Sequence, residues 1–392
     1  MRQAVATFLN DLSIPAVTAG FIAVVVGYTS SVAIIFQAAE VAGASSAQLN
    51  SWIGALGIGM GVSSIALSLY FKAPVLTAWS TPGAALLATS TSTASITELT
   101  AAFMFSAVLI IASGITGWFE KLIDHIPVSL ASAMLAGILF QFGLNVFVSM
   151  QTELLLCTAM FVTYLLIKQT VPRYAVIGAL VCGFAISWLT GFEFTAVDIS
   201  VTRPVFVAPE FNWTVLLGIG VPLFVVTMTA QNIPGIATLR AGGYNTPVSP
   251  VITTTGVVTL VLAPFGCFAI NMAAITAAIC MDKNAGDDPK RRYTASVAAG
   301  IFYCLLGIFG ATVGSLLAAV PKELILAVAG LALFATIAGS LATALNDTHQ
   351  REPALITFLM TASGISLFGV GAAFWGLVFG GFALIIARVA RK

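Results

Sequence analysis

From Ala73 to Gly83 the chain reads Ala73-Pro74-Val75-Leu76-Thr77-Ala78-Trp79-Ser80-Thr81-Pro82-Gly83, and this stretch decides the fold. It falls in the third of a series of apolar runs, yet it carries two prolines and four polar or interface-seeking residues. A proline inside a helix removes a hydrogen bond and clashes with the preceding turn, so one continuous spanning helix is not expected here. Ser80-Thr81-Pro82 reads as a helix start, with Thr81 as N-cap and Pro82 at the first helical position, where a missing N–H costs nothing. A half-helix then begins near mid-membrane, preceded by an extended segment, Val75 to Ser80. Extended backbone at that depth is tolerated only when it is buried in protein or lines a cavity, here by pairing with a second such segment.

Composition makes the surrounding solvent lipid. Only 8% of the 392 residues are charged, against roughly 25% in an average soluble protein, while 59% are apolar and a further 35 are glycine. A net charge of +1 with no basic tract excludes a nucleic-acid partner held by phosphate neutralisation. The five cysteines lie in apolar runs without CxxC or Cys/His spacing, and so indicate neither a disulfide framework nor a metal site. The start of the chain, with Asp11 and Pro15 and no small-residue cleavage pattern, reads as a permanent span and not a removable signal.

At about 20 apolar residues per span the chain has room for roughly fourteen. They are expected at 14–37, 49–71, 74–92, 98–118, 127–147, 152–168, 174–191, 213–239, 248–264, 266–281, 293–319, 323–343, 353–370 and 373–390. With both termini cytoplasmic, every Lys and Arg except Arg203 and Lys322 falls on the inner side, including Arg2, Lys121, Arg173, Arg388, Arg391 and Lys392. Removing one span would scramble that asymmetry. Trp52, Trp118, Trp188, Trp213 and Trp375 sit at span ends, where indole prefers the headgroup boundary; Trp79 is the exception.

The chain matches itself at an offset of about 190 to 200 residues. Gly20 to Thr29 lies against Gly220 to Thr229, Ala73-Pro74 against Ala263-Pro264, Ile126-Pro127 against Val320-Pro321, and the segment ending at Phe140 against that ending at Phe334. A repeat of seven spans, being odd, enters the membrane from the opposite side the second time. The expected fold is therefore an all-α polytopic membrane protein of fourteen transmembrane spans as 7+7 inverted repeats, 1–191 and 192–392, the architecture of a secondary transporter. Spans 3 and 10 are each broken into a short extended segment plus a half-helix. The offset sets Asn271 opposite Thr81, again as an N-cap, with Phe265 to Ile270 extended before it. Two half-helix N-termini then converge on the centre and favour an anion without any Lys or Arg.

The eighth span carries Thr229-Ala230-Gln231-Asn232-Ile233-Pro234-Gly235. Pro234 removes the bond to the Ala230 carbonyl, and two amides lie deep in lipid, where they must face the protein interior. Its mate, Tyr28-Thr29-Ser30-Ser31, is another polar island. Plainer roles stay open: hydroxyls such as those of Ser30, Ser31 and Thr229 bond to the preceding turn, Gln231-Asn232 can act as interhelical glue, and Trp79 can be ordinary core. Gly54, Gly57, Gly59, Gly61, Gly310 and Gly314 read as close-packing surfaces, since no lysine follows to make a phosphate loop.

On Thr77-Ala78-Trp79-Ser80-Thr81-Pro82-Gly83 and Thr229-Ala230-Gln231-Asn232-Ile233-Pro234-Gly235, and from Leu12-Ser13-Ile14-Pro15-Ala16 to the last span, the chain resembles the benzoate:proton symporter (BenE-type) family. The resemblance implies the fold of uracil permeases and sulfate-transporter-like anion carriers. In that fold spans 1–4 and 8–11 form a core and spans 5–7 and 12–14 a gate, through which members dimerise. Nucleobase permeases carry carboxylates in spans 8 and 10; this chain has Gln231, Asn232 and Asn271 there, an exchange that suits an aromatic carboxylate. Trp79, Tyr28 or Phe268 would face its ring.

The candidate substrate-binding set is Tyr28, Ser31, Thr77, Trp79, Ser80, Thr81, Gln231, Asn232, Phe268 and Asn271. The expected activity is benzoate uptake with a proton across the bacterial inner membrane by alternating access, with no cofactor and the proton as coupling ion. All fifteen acids lie at span ends or in loops and His125 and His349 near cytoplasmic ends, so no proton-carrying residue is named. The alternatives are an exchanger or channel for small anions and a nucleobase-type proton symporter. An intramembrane enzyme would need a metal cluster, aspartate pair or nucleophile with its base, and the spans hold none of these patterns.

Overall fold

Short polar residues set where the apolar runs become helix. In a computed structural model of the chain, describing residues 8, 10–89, 94–117, 127–192, 199–367 and 370–389, Ser13 accepts the Ala16 N–H and opens α1 (Ile14–Val41). Ser45 and Gln48 form a reciprocal capping box at the start of α2 (Ser46–Phe71). Arg2, Trp118, Lys121, His125, Ile126, Arg391 and Lys392 lie outside the described residues, as do the side chains of Ser30, Arg173 and Arg388.

Beyond α2 the backbone leaves the helix at Lys72, whose φ of 49° ends it, and becomes strand β1 (Thr77–Trp79) followed by α3 (Thr81–Thr89). Then come α4 (Ile96–Ile115), opened by a Ser95–Glu98 capping box, α5 (Val128–Val148), α6 (Leu154–Thr170) and α7 (Ala175–Leu189). In the second half follow α8 (Trp213–Arg240), α9 (Val248–Leu262), strand β2 (Ile270–Met272) and α10 (Ile275–Met281). The chain ends with α11 (Tyr293–Ile308), α12 (Gly310–Ala318), α13 (Lys322–Asn346), α14 (Arg351–Ala362), a hairpin β3 (Ser366–Leu367) and β4 (Val370–Gly371), and α15 (Ala372–Val389). Among the described residues seven helices are long and apolar enough to cross a membrane, or eight with α11 and α12 taken as one bent span. The protein is a mostly helical polytopic membrane protein.

Four places depart from the sequence reading, each for a local physical reason. Ser80, not Thr81, caps α3: its Oγ accepts the Gly83 N–H at 3.1 Å, and Thr81 is the first helical residue. Asn271 is not an N-cap either. It lies in the middle of β2, and α10 begins at Ile275 after Ala274, which offers no side-chain cap. The run 293–319 bends by 69° between α11 and α12. Thr202 wedges into that break, its N–H donating to the Ile308 carbonyl at 2.8 Å and its Oγ1 accepting from Ala311 N at 3.1 Å, so the freed backbone groups are satisfied. The run 353–370 is helical only to Ala362, because the chain turns at Gly364 (φ 65°) into the β3–β4 hairpin.

Helix packing is closest within two sets, α1–α4 with α8–α12 and α5–α7 with α13–α15. In the first set α2 lies on α11 and α4 on α9, so each half of the chain packs on the other. Glycines bring the backbones together: a Cβ at Gly57 would sit 2.6 Å from Gly307 Cα, and one at Gly61 2.5 Å from the Gly300 carbonyl oxygen. In the second set α5 and α13 pack on each other, and they face α1, α3 and α8 across the boundary between the sets.

Candidate functional site

The site grows from the two strands. β1 and β2 pair antiparallel, Thr77 opposite Met272, Ala78 opposite Asn271 and Trp79 opposite Ile270. Ser80 N donating to Ala269 O and Ala273 N donating to Leu76 O extend the ladder at either end. A two-stranded ribbon has two open edges, which inside a membrane protein cannot be left to water. Side chains of the neighbouring helices close both. On the β1 edge, Thr77 N donates to Ser64 Oγ at 3.0 Å and Trp79 N to Met60 Sδ at 3.1 Å, both on α2. On the β2 edge, Ile270 N donates to Thr259 Oγ1 on α9 and Met272 N to Asn232 Oδ1 on α8, each at 2.9 Å.

Those bonds assign several of the sequence-predicted residues. Thr77 is fully buried, with its hydroxyl among Ser63 Oγ, Ser64 Oγ and the Met60 carbonyl at 2.7 to 2.9 Å. Asn232, also fully buried, spends its amide on Met272 N and on Met228 Sδ. Both hold the ribbon in place. Phe268 is buried in a separate aromatic cluster with Trp52 and Phe103, at ring separations of 6.3 and 6.1 Å. The turn beside it requires Gly266, whose φ is 96° and whose Cβ, were there one, would collide with the Trp52 indole.

Tyr28, Ser31 and Trp79 do meet. The Trp79 indole N–H donates to Ser31 Oγ at 2.8 Å, and the Tyr28 and Trp79 rings meet edge to face at 4.6 Å. Tyr28 Oη is buried and has no hydrogen-bond partner. Tyr303 of α11 extends the cluster, 6.0 Å from Tyr28 between ring centroids. On the other side of β1, Ser80 receives Thr227 Oγ1 of α8 at 3.1 Å while it caps α3. Thr81 is half-buried at the start of α3, and Gln231 is half-buried on α8.

α8 is not a regular helix there. Met228–Asn232 forms a π-turn, as does Leu216–Gly220. Pro234 has no N–H to return to the Ala230 carbonyl, and the widened turn takes up the mismatch while swinging Asn232 toward β2. Beside this turn a cavity of about 130 Å³ opens between Ala131, Ser132 and Leu135 of α5 and Thr229, Ala230 and Ile233 of α8. It lies on the boundary between the two helix sets. A larger cleft of about 330 Å³, at Gly54, Thr202, Leu262 and Gly307, is lined almost wholly by apolar groups and lies apart from the ribbon.

Asn271 is the unusual side chain. It is fully buried, and neither its Oδ1 nor its Nδ2 has a hydrogen-bond partner. Directly paired residues on two strands point to the same face, so Asn271 shares a face with Ala78, the one residue of β1 that is only partly buried. No Asp, Glu, Lys or His is buried among the described residues.

Charges gather at a rim instead. Asp11 accepts from Tyr293 Oη at 2.8 Å and lies 3.5 Å from Arg291, and Lys72 donates to Tyr293 Oη at 2.9 Å, tying the segment before α1 and the C-cap of α2 to the start of α11. Arg292 donates to the carbonyls of Met281 and Gly286, closing the C-terminus of α10. Burial raises the Tyr244 phenol above its ordinary value, against the lowering effect of Arg292, and its hydroxyl donates to the Pro289 carbonyl at 2.7 Å. Sequence reasoning missed the edge-closing hydroxyls, although Thr259 follows Ser64 at an offset of 195, inside the range that relates the two halves.

Solved structures with this fold include SLC26A9, with a TM-score of 0.63 at 13% identity over 99% of this chain and 68% of that one. The transmembrane domain of the cyanobacterial bicarbonate transporter BicA has a TM-score of 0.58 at 15% identity, covering 96% and 97%. At such identities the likeness is one of fold. In sequence, the chain is 48% identical over 376 residues to the inner membrane protein YdcO of Escherichia coli (strain K12), covering 96% of each. It is 42% identical over 387 residues to the benzoate membrane transport protein of Acinetobacter baylyi, covering 98% of each. Residues 10–386 match the family model described as benzoate membrane transport protein, and with the paired broken segments and uncharged centre already in view, the chain belongs to that family of membrane transporters.

Proposed function

We propose that the protein takes up benzoate or a related aromatic carboxylate across the bacterial inner membrane together with a proton. In this reading the chain makes fourteen spans in two inverted sevens with both termini cytoplasmic, α6, α7, α14 and α15 counting as short spans. The set α1–α4 with α8–α12 is the core, and α5–α7 with α13–α15 is the gate through which two copies pair. Transport is alternating access: the core carries the ribbon past the gate, whose α5 and α13 line the boundary.

One observation carries the reading. The ribbon carries an edge-to-face Tyr28–Trp79 pair at one face and an unpartnered Asn271 amide at the other, and among the described residues no acidic side chain is buried. An aromatic pair matches an aryl ring, and an environment without carboxylates does not repel a carboxyl group. Ser31, Ser80, Thr81 and Gln231 surround the ribbon, while Thr77, Asn232 and Phe268 act through the framework. The α10 helix is seven residues long and starts four residues after Asn271, so attraction of an anion by two opposed helix ends contributes less than the sequence implied.

Coupling to a proton has an energetic rationale. An anion entering a negative interior works against about 2.3 kcal/mol per 100 mV, and one accompanying proton cancels that cost. The test is accumulation of labelled benzoate by proteoliposomes under an inward proton gradient, corrected for flux into protein-free liposomes. Protein-dependent accumulation is expected. Gradient-independent flux of sulfate or bicarbonate, without benzoate accumulation, would establish instead the second reading, a small-anion exchanger or channel, which the fold shared with SLC26A9 and BicA favours.

A further inference from the structure

The reading of an aromatic acid as substrate leaves open what carries the proton, and the orphaned Asn271 amide bears on it. We propose that the acid is bound and moved in its neutral, protonated form. Its carboxyl group closes a ring of two hydrogen bonds with the Asn271 carboxamide, so the substrate itself brings the coupling proton.

Donor and acceptor inventories tell the two forms of the acid apart. A carboxamide offers a carbonyl acceptor and N–H donors side by side. A neutral carboxylic acid offers an O–H donor and a carbonyl acceptor at matching positions, and satisfies Oδ1 and Nδ2 together. A carboxylate only accepts; it can take the Nδ2–H but sets its second oxygen against Oδ1, which stays unpaired. Asn271 has both amide atoms free of partners within a fully buried side chain, an arrangement that costs stability unless something completes it. On the same face of the ribbon its cross-strand neighbour Ala78 is the one partly exposed residue of β1.

Charge leads to the same assignment. The elements packed on β2 are β1, α2, α9 and α8, and the titratable side chains on them are Tyr70, 81% exposed at the far end of α2, and Arg240, exposed at the end of α8, where with Tyr244 it lines a small pocket against Met272. Cys267 precedes β2 and Cys280 lies on α10, both buried; Tyr28, Tyr303 and Cys304 stand on α1 and α11. Phenols and thiols are neutral in the range where a carboxyl titrates. Among the described residues the buried cation is Arg292, and it is engaged by the carbonyls of Met281 and Gly286. Apart from the N-terminus of α3, no buried group among the described residues would offset the charge of a bound carboxylate, whereas the neutral acid buries none.

The cycle balances. Outside, the acid O–H donates to Asn271 Oδ1 while Nδ2–H donates to the acid carbonyl, and no covalent bond changes. Inside, the released acid ionises and gives its proton to water. One carboxylate and one proton have entered with no net charge.

The test is binding by the full-length protein in lipid nanodiscs, measured calorimetrically for benzoate and for ring-substituted benzoates of different acidity. The range is about pH 3 to about pH 7, spanning an ordinary carboxyl pKa of about 4. The apparent Kd should rise tenfold per pH unit above each ligand's own pKa, with the break moving from ligand to ligand. Benzamide, an uncharged donor–acceptor mimic, should bind with no pH dependence, and benzenesulfonate about a hundredfold more weakly than the neutral acid. A break at one pH for every ligand, a flat profile, or benzenesulfonate binding as well as benzoate would overturn the proposal while leaving aromatic acids as substrates. Absence of binding by every aromatic acid at every pH would overturn that substrate reading too.

Discussion

At the scale of single residues, the centre of the protein is governed by which backbone N–H groups find an acceptor. Ser64 and Thr259 occupy corresponding places on α2 and α9, and each accepts an outward N–H of the ribbon, from Thr77 and from Ile270. Removing either hydroxyl strands a buried donor at a cost of about 1–3 kcal/mol. Ser64→Ala and Thr259→Val should therefore lower the thermal unfolding midpoint in detergent, whereas Thr259→Ser should stay near the parent; equal behaviour of the two Thr259 variants would refute the edge-closing role. Trp79→Phe keeps the aromatic face toward Tyr28 but deletes the indole N–H that reaches Ser31, a bond worth about 1 kcal/mol. Its apparent KM for benzoate should rise several-fold with little change in protein yield, and an unchanged KM would remove Trp79 from the site. The polar islands around Tyr28, Thr77 and Gln231 were legible because polar groups in an apolar run need a reason. Their partners were not, since Asn232 and Asn271 are the same residue type and only the three-dimensional register decides that one amide is satisfied and the other is not.

At the scale of elements, proline was the readable signal and its consequence was the hidden one. Two prolines and the Ser-Thr-Pro start marked the break at β1 and α3, but the cap moved one residue upstream because Ser80 Oγ lies in reach of Gly83 N. In α8, Pro234 forecast a lost hydrogen bond; the sequence held no sign that a π-turn over Met228–Asn232 would absorb it and turn Asn232 onto Met272. Pro234→Ala should allow an ordinary helical turn, withdraw that amide, and reduce benzoate uptake by more than half while the protein still folds. Uptake at the parental rate would show that the π-turn is incidental. The glycine seam between α2 and α11 is equally specific: a Cβ at Gly300 would lie 2.8 Å from the Gly61 carbonyl oxygen. Gly300→Ala should destabilise by about 1–3 kcal/mol through overpacking, read as a lower unfolding midpoint. The bend at Thr202 and the early end of α14 escaped the sequence reading because both depend on contacts or turns that hydropathy does not register.

At the scale of the whole molecule, the two helix sets meet along a boundary that holds a cavity between Ser132 of α5 and Ala230 of α8. If the sets move as bodies, a disulfide between Ser132→Cys and Ala230→Cys should arrest uptake and a reductant should restore it; full activity with the bond formed would exclude movement at this boundary. That the chain is a mostly helical polytopic membrane protein was legible because lipid imposes length and composition on its spans. The pairing of β1 with β2 across the two halves was foreseeable only as a need, since the sequence shows that extended segments require partners but not which register they take. The arrangement on which the rest depends is a carboxyl group of an aromatic acid resting against the ribbon at Asn271, on the face it shares with Ala78. Magic-angle-spinning NMR on the protein in membranes, with carboxyl-labelled benzoate and nitrogen-labelled Asn and Trp side chains, measures this directly. A carboxyl-carbon to Asn271 Nδ2 separation of about 4 Å is expected, as for a hydrogen-bonded pair, lost in Asn271→Ala. A bound benzoate whose carboxyl carbon shows no coupling to Asn271 would contradict it.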